Sequence, residues 1–363
     1  MFNALNYRRI LSVIFLGLSI LLITRCNFIT GSFADAITGA TNPLTQDGNS
    51  LYHKTNYVNL ESGILEVGGE VKDPGIIDLK KHYKREIIMK ESLYEKDSVQ
   101  FIGAYRYIGY SLFDLLNEFN QQKKNAEDFR PAIDLYITIE NDIGESLSFS
   151  WSEIFHTNIP HHILIATEMA PILPYRKEVE YPMGSNWKVV AGNDLLTYRS
   201  LENPTRITVA SFDKKDYPIN RDLSPLYSPQ IDVYDEDKLL ASLHESDISK
   251  MLFTYETTFF GMGMGYHPSD SFRGQLLNNL LASTIDMHHP TWLKQGLVCF
   301  VGLDGYRSIF SFSELFNRTD QVFPLLAIIP EPHEGGYFRM FHPGDFFADR
   351  SVKSLAEMYF FIE

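Results

Sequence analysis

The sequence WKVVAGNDLLTYRS at residues 187–200 has a counterpart in FRMFHPGDFFADRS at residues 338–351. The two keep step without a gap. Trp187-Lys188 stands opposite Phe338-Arg339, Asp194 opposite Asp345, and Arg199-Ser200 opposite Arg350-Ser351. Further blocks recur in the same order. Tyr107-Ile108-Gly109 with Leu112, Leu115 and Leu116 matches Phe272-Arg273-Gly274 with Leu277, Leu280 and Leu281. Asp142, Phe149, Ser152, Glu153 and Phe155 match Asp304, Phe310, Ser313, Glu314 and Phe316. A fixed order of blocks with variable spacing is what a duplicated unit leaves behind when its loops drift. The chain therefore reads as two degenerate copies, 51–212 and 225–363, joined by a charged, proline-bearing linker at 213–224.

Each copy carries the same local signals. An alternating stretch, Leu65, Val67, Gly69 and Val71, ends at Asp73-Pro74-Gly75 and predicts a strand. Leucines at spacings of three and four after Gly109 and Gly274 predict short helices. Strands are expected at Leu135–Glu140 and Leu297–Val301. Ser150-Trp151-Ser152-Glu153 and Ser311-Phe312-Ser313-Glu314 have the spacing of a capping box. Strands outnumber helices, and the expected class is α+β, strand-rich with short helices.

Composition narrows the function. Hydrophobic residues at 44% and charged residues at 21% are globular proportions. With 32 basic against 46 acidic residues, the net charge is −14, which repels a phosphate backbone and argues against nucleic acid. Two cysteines, Cys26 and Cys299, exclude a disulfide scaffold and a four-thiolate metal site.

The N-terminus reads as an export segment, 1–26, followed by a polar tether, 27–50. Arg8 and Arg9 precede an apolar run from Ile10 to Ile23, shorter than the roughly 20 residues of a comfortable membrane span. Three processing readings fit. Ile23-Thr24-Arg25-Cys26 resembles a lipobox, with Cys26 lipidated; Ala34-Asp35-Ala36 offers a signal cleavage site; or the run stays as an anchor. All three export the remainder. The lipobox reading, favoured because Cys26 directly follows the run, attaches the protein to a membrane on its periplasmic or cell-surface side.

Several other features read as ordinary structure. Gly261-Met262-Gly263-Met264-Gly265 lacks the spacing of a phosphate-binding loop and reads as an inserted flexible turn. The pairs His161-His162 and His288-His289 each offer a metal at most one ligand, because neighbours on a strand point opposite ways. The basic run Lys80–Arg85 reads as a solvated face. Cys299, between Val298 and Phe300, reads as a buried core thiol.

The second copy also has Phe272-Arg273-Gly274, Gly302-Leu303-Asp304, Pro332-His333, Tyr337-Phe338-Arg339, Pro343-Gly344 and Arg350-Ser351-Val352-Lys353. This pattern resembles the molybdopterin-binding domain of the sulfite oxidase family. The first copy resembles the family's opening in Val67-Gly68-Gly69-Glu70-Val71 with Pro74-Gly75. The resemblance implies two tandem domains of that α+β type. It places Asp304, His333, Arg339, Ser351 and Lys353 at cofactor-contact positions. The family's metal-binding cysteine belongs upstream of Gly109 or Gly274, where this chain has Val99–Gly103 and Thr257–Gly261, without cysteine. The expectation is therefore an exported, membrane-tethered, non-catalytic module. It would bind a small anionic ligand or a protein partner through a retained basic pocket, with no molybdopterin cofactor. Alternatively, the chain is an active molybdopterin-dependent oxidoreductase that transfers oxygen atoms. A plainer reading of the pocket pairs Arg339 with Asp304 or Asp345 as scaffolding.

Overall fold

The computed structural model describes residues 52–174, 177–248, 251–267, 271–329 and 337–363. The export segment, the tether, Cys26 and His333 lie outside the described residues. Two compact units divide the chain. In the smaller, Tyr52–Lys54 pairs antiparallel with residues 172–174. The larger holds residues 56–171 and 181–363, and so the second repeat and all of the first except 51–55 and 172–180.

Among the described residues, four sheets and one two-stranded hairpin, Phe259–Gly261 with Gly265–His267, account for the strands of the larger unit. One sheet runs Leu201–Glu202, Lys188–Ala191, Ile163–Pro174, Ser98–Ser111, Arg85–Glu95, all antiparallel. The next runs Gly75–Ile76, Glu66–Gly69, Pro204–Ser211, Leu135–Asn141, Ser146–Ser150, with one parallel pair, Glu66–Gly69 against Pro204–Ser211. In the second half of the chain, Lys238–His244, Gln230–Asp235, Leu355–Ile362, Gly296–Gly302 and Arg307–Ser311 follow that same order, with Gln230–Asp235 parallel to Leu355–Ile362. The last sheet, Phe253–Tyr255, Phe272–Leu276, Leu325–Ile328, Phe338–Phe341, is antiparallel like the first. The halves thus share one connectivity.

These sheets are arranged as the blades of a four-bladed β-propeller. This corrects the expected fold of two tandem α+β molybdopterin-type domains. Among the described residues, 45% lie in strands and 13% in helices, and the helices cannot form a layer. Leu112–Leu116, Trp151–Phe155, Leu277–Leu281 and Phe312–Phe316 are single turns. One turn buries two or three apolar side chains on its inner face, too few to cover a sheet, so sheet faces must cover one another. Gly296–Gly302 is accordingly buried at every position.

Local expectations for several elements hold. The strands at Leu135–Asn141 and Gly296–Gly302 cover the expected Leu135–Glu140 and Leu297–Val301. Ser150 and Ser311 cap their helices in full capping boxes with Glu153 and Glu314. Gly109 and Gly274 sit within strands, just ahead of the helices they were expected to initiate. A Cβ at Gly109 would collide with the Ile165 carbonyl, and one at Gly274 with the Leu326 carbonyl. Close approach of a neighbouring strand is what requires glycine at both positions.

Core packing crosses the midpoint of the chain. Tyr136 and Phe212 share an apolar cluster with Leu297, Cys299, Ile309, Tyr359 and Phe361. Between Ser211 and Gln230 there is no strand or helix. Among the described residues, no helix is long and apolar enough to cross a membrane.

Candidate anion site

Arg339 lies on Phe338–Phe341, where alternation buries Phe338 and Met340 and turns Arg339 to the other face. Its Nε donates to the Ser351 hydroxyl at 2.9 Å, and that hydroxyl donates to the Met340 carbonyl at 2.6 Å. The guanidinium lies 4.6 Å from the centre of the Phe259 ring and 5.4 Å from that of Phe272. Desolvation pulls its pKa down to about 10, with Tyr306 opposing, so it stays charged at neutral pH. Among the described residues, no carboxylate oxygen lies within 4.0 Å of it.

Three more deeply buried arginines are paired instead. Arg199 pairs with Asp194 at 2.7 Å and Glu153 at 3.0 Å. Arg350 pairs with Asp345 at 2.5 Å and Glu314 at 2.9 Å. Arg307 pairs with Asp134 at 3.2 Å.

The matching position of the first half shows what Arg339 lacks. Lys188 lies 4.9 Å from the Tyr107 ring and pairs with Glu91 at 2.7 Å, and the Tyr107 hydroxyl donates to that same carboxylate. Strand pairing sets Arg85 opposite Gly109 and Phe253 opposite Gly274. The same count along each chain segment brings Glu91 into step with Phe259, and Tyr107 with Phe272. In the second half, an aromatic ring has taken the place of the internal carboxylate.

A cavity of about 230 Å³ opens beside Arg339. Its wall also carries Asp304, Tyr306, Asp349, Ser351 and Lys353, with Leu226 and Ala348. Four residues singled out from sequence, Asp304, Arg339, Ser351 and Lys353, are therefore neighbours. The sequence pattern does not point to Tyr306 or Asp349. The only sequence signal for Tyr306 is its place after the Asp304-Gly305 turn, where its N–H donates to Asp304 at 3.1 Å. Its hydroxyl donates to the Asp349 carbonyl at 2.8 Å. The N–H of Met262 donates to the Asp349 carboxylate at 2.8 Å, which ties the glycine–methionine turn to this wall. That turn closes the hairpin of Phe259–Gly261 and Gly265–His267, with Met264 82% exposed at its tip.

The scaffolding reading of Arg339 does not match this geometry. Asp345 is held by Arg350 and by His342, whose Nδ1 lies 2.9 Å away, and Asp304 stays out of ion-pair reach of Arg339. Among the described residues, no sulfur lines the cavity. Cys299 lies in the Tyr136–Phe212 core cluster, and burial pushes its thiol well above the usual range. The cavity lining therefore does not fit a thiolate-ligated metal. No group of three metal-capable side chains occurs among the described residues.

The histidine pairs also separate. His161 Nδ1 faces Ser111 Oγ at 3.1 Å and Asp114 at 3.7 Å. Both partners meet the same ring nitrogen, so the imidazole cannot relay a proton from one to the other as a catalytic triad requires. His162 bonds Asn193, and His288 stacks on Tyr94 at 3.9 Å. In the basic run, Lys84 pairs with Glu168 and Arg85 with Asp114.

No family model matches this chain, and no curated protein is similar enough to count as a relative.

Proposed function

We propose that this protein is a non-catalytic binding module that takes a small anion at Arg339. Attachment to a membrane through its N-terminal segment, on the exported side, belongs to the same reading. The observation that carries it is a half-buried guanidinium on a cavity wall with no carboxylate of the described residues in reach, while the matching lysine of the first half has one. A desolvated cation without a partner is costly, and an incoming oxyanion supplies both charge and acceptors for its remaining donors. The Ser351 hydroxyl fixes Nε and leaves the outer edge of the guanidinium to the ligand.

Isothermal titration of the full chain with inorganic phosphate, sulfate and acetate tests the reading. Saturable binding of at least one, abolished in Arg339→Ala, is expected. No binding of any of them, or equal binding by the variant, would remove the basis for an anion site. Fractionation of cells expressing Cys26→Ala tests the tether separately. Loss of membrane association is expected, and retention equal to the parent would reject lipidation.

A further inference from the structure

The cavity carries charge of both signs. Asp304 and Asp349 share its wall with two cations, Arg339 and Lys353, and among the described residues neither carboxylate takes part in an ion pair. Each has one oxygen committed to a backbone N–H, that of Tyr306 or Met262. Their second oxygens accept no hydrogen bond among the described residues. Arg339 and these carboxylates border one space, yet none lies within 4.0 Å of the guanidinium, and no ion pair joins them among the described residues.

A plain anion suits this wall poorly. It would satisfy Arg339 while standing near two carboxylates, and like charges raise the cost of binding. A plain cation has the converse problem. A molecule with an oxyanion at one end and an ammonium at the other meets both demands. The volume, about 230 Å³, is below the roughly 300–1,000 Å³ of drug-sized sites and suits a small molecule.

We infer that the ligand is a small zwitterion, with its carboxylate or phosphate on Arg339 and its ammonium on the Asp304–Asp349 side of the cavity. This rests on the anion-site reading above. Leu226 and Ala348 supply an apolar wall for the few carbons between the charged ends.

The test compares matched probes on the full chain by isothermal titration. One pair is 4-aminobutyrate and butyrate, the other phosphoethanolamine and ethyl phosphate. Each pair differs in the ammonium and keeps the oxyanion. The amino member of at least one pair is expected to bind roughly tenfold tighter or better, and the pair that shows it identifies the oxyanion. The double variant Asp304→Asn with Asp349→Asn keeps the acceptors for both backbone N–H groups and should erase that advantage, with butyrate or ethyl phosphate binding at least as tightly as to the parent. If the members of each pair bind equally, the zwitterion inference is wrong and the anion site stands. If none of the four binds, both are wrong.

Discussion

The Arg350 guanidinium reaches across the molecule to the Ser150 hydroxyl, Nη1 donating at 3.2 Å. Arg199 makes the reciprocal contact with Ser311 at 3.0 Å. Each arginine thus pairs with the capping-box glutamate of its own half and bonds the capping serine of the other. Each also lies over a phenylalanine, Arg199 at 4.3 Å from the Phe149 ring centre and Arg350 at 3.8 Å from that of Phe310. Ser150 Oγ lies 2.6 Å from Glu314 Oε1, so the two caps are joined directly as well. The result is a buried ionic cluster, built twice over, where the halves meet.

Removing one arginine strands its carboxylates. Against desolvation, which pulls upward, Arg350 and His342 hold the Asp345 carboxyl at about 2. Arg350→Met leaves Asp345 and Glu314 buried without that cation. A loss of about 3–5 kcal/mol in urea unfolding is expected, the usual cost of breaking a buried pair. Lys84→Met, on an exposed pair with Glu168, should cost under about 1 kcal/mol in the same experiment.

The cluster also sets a pH dependence. Desolvation pushes the Glu153 carboxyl from 4.5 up to about 7; Arg199 opposes, and Glu314 and Asp194 add to the rise. The unfolded chain releases this proton near 4.5, while the folded chain keeps it until about 7. Between those values the folded state binds more protons, so this contribution to stability is full below 4.5 and is lost as pH rises through about 7. His156 acts in the opposite sense. Desolvation lowers it from 6.5 to about 4, and its contribution is lost as pH falls through that interval. The difference between wild type and Glu153→Gln isolates the first effect. Wild type should gain on the variant as pH is lowered from 7 to 4.5, and a flat difference would show that Glu153 titrates normally.

Gly274 tests the strand crossing. In Gly274→Ala the new methyl meets the Leu326 carbonyl, a backbone atom that cannot swing aside. A loss of about 1–3 kcal/mol is expected from such overpacking. Gly68→Ala is the control, because a Cβ there meets nothing within 4 Å. Equal melting temperatures for the two variants would contradict the crossing.

Phe259→Glu tests the comparison between the halves. The carboxylate would stand where Glu91 stands beside Lys188. It should pair with Arg339 and abolish phosphate, sulfate and acetate binding without unfolding the protein, as read by titration and far-ultraviolet circular dichroism. Undiminished binding would show that Phe259 does not occupy the counterion's position.

Much of this was legible in the order of residues. Phe149, Glu153, Asp194 and Arg199 recur as Phe310, Glu314, Asp345 and Arg350, and all eight belong to the central cluster. The capping boxes were readable because they are local, each closed within four residues. Their joining was not. The Ser150–Glu314 contact spans 164 positions, and no local pattern announces it.

The short helices at Leu112–Leu116 and Leu277–Leu281 lie where the leucine spacing places them, again a local signal. The chain alone set strand positions, caps, the glycines at crossings and the pairing of like positions in its halves, because these follow from neighbours a few residues apart. Four blades in place of two α+β domains, and the isolation of Arg339 beside Asp304 and Asp349, arose from packing between distant segments, where one ring in the place of Glu91's carboxylate alters the charge balance of a cavity.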